Sequence, residues 1–169
     1  NIHLFLRNSL KIKYQQKLIY HIIKKREKLI SLKMAAIDEF ISKINYFNID
    51  KNKREIYIKI KKSVIFKEMG NPEIFLLSLV LGMKHGKRKK ILNSSTLFRI
   101  NELGNNVWIA LSIGYSELKE INIFETKEGA RMAFKVCEEY ANSGIDILND
   151  LMKKPSEFII NLVEELLEN

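Results

Sequence analysis

The residues whose types and spacing could do chemistry are five cations, Lys84, Lys87, Arg88, Lys89 and Lys90, which close the stretch NPEIFLLSLVLGMKHGKRKK at positions 71–90. The almost wholly apolar run Ile74 to Met83 leads directly into them. One or two cations suffice to complement the negative end of a helix, so five in a cluster point to contact with phosphates. A second group, Lys24, Lys25, Arg26 and Lys28, lies opposite Ile22, Ile23, Leu29 and Ile30. It is either a second phosphate-binding face or a merely solvated one.

Other reactive residue types lead less far. His85 has no Cys, Asp or second His at metal spacing, so no metal site is expected. Glu138 and Glu139 are adjacent, and neighbouring helical residues point in different directions, which argues against a general acid/base pair. The single cysteine, Cys137, excludes an intramolecular disulfide and a multi-cysteine zinc site and fits a reducing, cytoplasmic setting. It falls on an apolar helical face and reads as a core thiol. There is no Gly-rich phosphate loop, nucleophile elbow or Cys/His arrangement, so no catalytic residue and no cofactor is assigned. An enzyme with a dispersed active site stays open.

The elements that position these residues read as mostly helical. Residues 9–47 contain neither Gly nor Pro and space their apolar residues helically, as a hairpin or one long helix. Lys53 to Phe66 alternates at Ile56, Ile58 and Ile60 and predicts a short strand, with Leu118 to Phe124 as its partner. Asn71, Pro72 and Glu73 start a helix that is apolar on nearly every side, and Gly86 supplies a left-handed stop. Gly82 is expected to permit close packing. Ser94 or Ser95 opens a short helical turn before Gly104, and Val107 to Tyr115 forms a second buried helix that takes Trp108 into the core. Thr126 caps a helix whose Ala130, Ala133, Phe134, Cys137 and Tyr140 share an inner face. Gly144 ends that helix or allows close packing, and Pro155 stops or kinks the next. The predicted fold is mostly α, a multi-helix bundle with a small two-stranded β element. A basic N-terminal helical segment, residues 1–50, joins a helical core, residues 51–169, in one compact unit.

Charge divides this chain of 169 residues sharply. Residues 1–100 hold 23 Lys and Arg against 7 Asp and Glu, whereas residues 101–169 hold 6 against 13. A basic half of this size attracts polyanions at long range, nucleic acid foremost. Codon bias in AT-rich genomes also inflates lysine, so charge alone assigns nothing. Ile74 to Met83 is about half of the roughly 20 residues a membrane span needs, so no membrane role is expected. The opening NIHLFLRNSLKIK lacks the small-residue cleavage site of a signal peptide.

Three segments, NPEIFLLSLVLGMKHGKRKKI, WIALSIGYSELKEINIF and KVCEEYANSGIDILNDL, carry a family resemblance. The region of about residues 55–152 resembles an accessory family found beside DNA sulfur-modification (phosphorothioation) systems. Its pattern is an apolar helix ending in a Gly-Lys/Arg-rich turn, here Ile74 to Ile91, and a later Glu-Tyr-Ala-x-x-Gly-Ile segment, here Glu139 to Ile145. The resemblance implies a defence-associated setting, proximity to DNA and other subunits of a modification complex as partners, without implying a reaction. Two functional classes follow. One is an accessory module that binds DNA non-specifically through the basic cluster. The other is a protein-interaction or self-associating subunit, a homo-oligomer included, whose basic charge does not serve nucleic acid.

Overall fold

The computed structural model describes Lys24 and residues 46–119 and 126–167. The chain divides into two compact units, 1–39 and 40–169, and every element below belongs to the second. In chain order they are strand β1 (Tyr46–Asp50), a 3-10 turn (Lys51–Lys53), helix α1 (Arg54–Lys61), helix α2 (Asn71–Lys84), strand β2 (Ser94–Arg99) and a second 3-10 turn (Ile100–Asn106). Helices α3 (Val107–Leu118), α4 (Lys127–Leu151) and α5 (Phe158–Leu167) follow. The described residues thus form a mostly helical fold with one two-stranded antiparallel sheet.

The predicted helices form where local signals were strong. Glu73 accepts a hydrogen bond from the Gly70 N–H at 2.9 Å and Pro72 lies in the first turn, so the cap of α2 is Gly70, one residue before Asn71. Thr126 caps α4 by accepting from the Gly129 N–H at 3.0 Å. Helix α4 runs unbroken through Gly144 for 25 residues, and both α2 and α3 pack against it. Gly82 and Gly144 make the α2–α4 contact: a methyl group at Gly82 would run into the Tyr140 carbonyl, and one at Gly144 into the Ser78 carbonyl. Close packing, rather than a helix stop, is the role of Gly144. Cys137 is fully buried and its thiol donates to the Ala110 carbonyl of α3 at 3.1 Å. Burial pushes that thiol up to about 12, with the nearby Glu138 charge adding to the effect.

The β element differs from the prediction. Ile56, Ile58 and Ile60 lie in α1, where Tyr57 and Ile60, with Lys53 of the preceding 3-10 turn, face inward at helical spacing and Ile58 is left outside. Glu and Lys are good helix formers, and burial of Tyr57 decides between the two periods. Leu118 ends α3, Lys119 closes it in a left-handed conformation, and the rest of the predicted partner strand, 120–124, lies outside the described residues. The sheet instead pairs β1 with β2, with Phe47 opposite Phe98 and Asn48 opposite Thr96. The sequence pattern places residues 46–50 in the N-terminal helical segment and a helical turn from Ser94 or Ser95 through Phe98 to Leu103, of which only the part from Ile100 forms a 3-10 turn. Aromatic packing explains the strands: Phe47 meets Phe75, Phe98 and Phe134 at ring-centroid distances of 4.7, 5.3 and 5.1 Å. Only an extended β1 places both Phe47 and Ile49 in this core. Trp108 is half-buried on α3 rather than in the core.

Candidate functional site

The basic cluster begins where α2 stops. Gly86 takes a left-handed φ of 59°, its N–H donates to the Met83 carbonyl at 2.8 Å, and the Lys87 N–H donates to the Gly82 carbonyl at 3.1 Å. These two bonds form a Schellman motif, which turns the chain sharply off the helix axis. The connection then lies along α4. The Lys89 N–H donates to the Glu139 carbonyl at 3.0 Å, and the Asn142 side-chain amide donates to the Lys89 carbonyl at 3.2 Å. Farther on, the Asp50 carboxylate accepts from the Leu92 N–H at 3.0 Å, which holds that carboxyl below its ordinary range.

Tertiary pairing separates the five cations. Arg88 donates to the Glu139 carboxylate through Nη2 at 2.7 Å and Nε at 3.2 Å, and its guanidinium lies 5.8 Å from the centre of the Tyr140 ring. Burial pushes the Tyr140 hydroxyl above its ordinary range, with Glu117 contributing. Lys89 approaches Asp146 at 3.8 Å, and Asp146 is also held by Lys53 at 2.5 Å. Lys84 donates to the Glu165 carbonyl, and His85 pairs with the Glu165 carboxylate at 2.7 Å. Lys87 and Lys90 are exposed and held in no ion pair among the described residues. Of the second cluster, Lys24 is helical and exposed, while Lys25, Arg26 and Lys28 lie outside the described residues.

Glu138 and Glu139 do point to different partners. Glu139 grips Arg88, while Glu138 turns to the sheet, where its Oε1 accepts from the Asn48 N–H at 2.7 Å and the Asn48 side-chain amide at 3.1 Å. Burial pushes the Glu138 carboxyl up to about 7, against the Asn48 hydrogen bonds and the charges of Arg131 and Lys135, which lower it. Such a group both donates and accepts near neutral pH. Glu138 forms part of the floor of a cleft of about 290 Å3 between β1, Ile91 and α4, with Tyr46, Met132, Arg131 and Lys135 also lining it. Sequence reasoning did not find this cleft. Its one legible sign was the stripe Glu128, Arg131, Lys135 and Glu138, which shares a side of α4. Among the described residues no group of three or more His, Cys, Asp or Glu is placed to hold a metal ion, and no helix is long and apolar enough to cross a membrane.

Fold and site together define a small helical domain that presents a pinned basic loop beside an open polar cleft. The chain belongs to the family of DNA sulphur modification system-associated protein 4, whose model matches residues 46–169. The match takes in every described element from β1 to α5, including the basic loop and the cleft. No curated protein and no solved structure shows significant similarity.

Proposed function

We propose that this protein is a nucleic-acid-associated accessory component of a DNA modification and defence system, holding DNA phosphates without sequence preference through the connection between α2 and β2. One observation carries the reading: Lys87 and Lys90 are exposed and unpaired among the described residues, on a loop whose backbone is fastened to α4. Cations on a fixed loop lose little freedom on meeting a phosphate. Lys84 and Lys89, both exposed, extend the positive surface. Membership of a DNA sulphur-modification family supports DNA as the polyanion.

Binding to fluorescent duplex DNA across a salt series tests it. Log affinity should fall with log salt at about −0.9 per phosphate contacted, and Lys87→Ala/Lys90→Ala should flatten that slope by roughly two. The thermal midpoint should stay unchanged, because neither side chain has a structural partner among the described residues. A double variant that keeps both affinity and slope removes these lysines from the interface.

A second reading, a protein-interaction subunit, has its own observation. Ile159, Ile160, Val163, Leu166 and Leu167 are exposed along α5, beside Glu164 and Glu165. Apolar residues recurring at this spacing suit a partner helix. Light scattering tests the self-associating version: an apolar seam predicts a mass above the monomer at low salt that persists as salt rises, and a monomeric mass throughout rejects it.

A further inference from the structure

We propose that the cleft beside Glu138 receives a single unpaired nucleotide of the strand that the neighbouring lysines hold. The inference rests on the nucleic-acid reading above and adds what the site would recognise.

The cleft combines the three features that a nucleotide needs. Its floor is polar: Glu138 Oε1 is occupied by Asn48, while the second carboxylate oxygen has no hydrogen-bond partner among the described residues. A carboxyl so placed can accept from an exocyclic amino group or, when protonated, donate to a ring nitrogen or carbonyl of a base. Its walls are apolar: Tyr46 of β1 and Met132 of α4 both line it, with 42% and 43% of their surfaces exposed. Side chains of this kind form the platforms on which unpaired bases stack. Its rim carries two cations, Arg131 and Lys135, which are exposed and form no ion pair among the described residues, together with the exposed carboxylate Glu128. A free phosphate would use the rim and leave the walls without a role. The volume of about 290 Å3 suits one nucleotide and excludes a base pair.

The cleft also adjoins the loop. Glu139 lines it and is the residue gripped by Arg88 and by the Lys89 N–H, and Ile91, another lining residue, directly follows Lys90. A backbone crossing Lys87 and Lys90 therefore passes beside the opening.

The test compares three fluorescent DNA duplexes of equal length: fully paired, carrying one bulged nucleotide, and carrying an abasic bulge. The bulged nucleotide should bind about tenfold more tightly than the abasic one, a ratio within the reach of base–aromatic stacking. Tyr46→Ala should bring the ratio to about one, and Met132→Ala should lower it. Both positions are half-exposed, so the variants are expected to fold, and a thermal melt checks this. Lys87→Ala/Lys90→Ala should weaken all three duplexes and leave the ratio intact. Equal binding of the bulged and abasic duplexes by the unaltered protein overturns the cleft assignment and leaves the phosphate reading standing. No binding to any duplex overturns both. Titration with the four free deoxynucleoside monophosphates separates the sources: if they bind through Tyr46 and the bulge confers no preference, the strand assignment is overturned in favour of a free nucleotide.

Discussion

Glu138 and Glu139 are chain neighbours on α4, yet they serve regions of opposite character. On one side Glu139 meets Arg88, whose guanidinium lies against Tyr140, and the carboxylate is almost fully enclosed, with 8% of its side chain exposed. The pair fastens the loop after α2 to the longest helix. On the other side, among the described residues, Glu138 meets Asn48 and the open cleft, with Arg131 and Lys135 near but held in no ion pair. A cation and a carboxylate whose hydrogen bonds are mutual are committed to the fold. Charges left facing an opening keep their capacity for a ligand. Sequence proximity to Lys87 and Lys90 therefore says little about what Arg88 does.

The comparison can be broken first at the packing that holds α4 in place. Gly144→Ala should destabilise the protein by about 3 kcal/mol in urea unfolding, because the added methyl meets the backbone of Ser78, which cannot step aside without moving α2. If its stability matches the parent, α2 and α4 are not packed as closely as described. Next comes the fastened side. Arg88→Ala should cost about 2 kcal/mol, below the range for a fully enclosed pair because the Arg88 side chain is 39% exposed, and it should loosen hydrogen-exchange protection at Lys89. A loss no larger than that of Lys87→Ala would show that the two cations are equivalent.

The smallest effect belongs to the open side and is read through pH. Folding raises the Glu138 pKa from 4.5 to about 7, so the native state binds the proton more tightly than the unfolded chain. Stability is therefore highest below pH 4.5 for this group and falls as pH rises from there to 7. Glu138→Gln keeps an oxygen for Asn48 and removes the titration, so it should be more stable than the parent above pH 7 by about 1 kcal/mol, allowing for water in the cleft. Thermal midpoints measured from pH 5 to 8 check this. Parallel profiles for the two proteins would mean that Glu138 is not enclosed.

Much of the fold was legible because its signals are local. The cap at Thr126, the Pro72–Glu73 start, the left-handed Gly86 and the apolar stripe of α4 act over three or four residues, and such spacings are written in the chain itself. The family pattern was legible for the same reason, since the Gly-Lys/Arg turn and the segment from Glu139 to Ile145 are contiguous. The Ile56, Ile58, Ile60 alternation misled because it fits a strand, whereas Tyr57 and Ile60 enter the core only from a helix.

By itself, then, the sequence determined helices α2 to α5, the Thr126 cap, the position of the basic loop and the family. Tertiary structure decided which charges are free. Arg88 finds Glu139 across 51 residues and Asn48 finds Glu138 across 90, separations that no local period encodes. The strand pairing of β1 with β2 and the cleft beside it arise in the same way, from Phe47 seeking a core that exists only once α2 and α4 have packed. Burial and long-range hydrogen bonding are properties of the assembled chain, and they separate the cations that hold the fold from those that remain available to a partner.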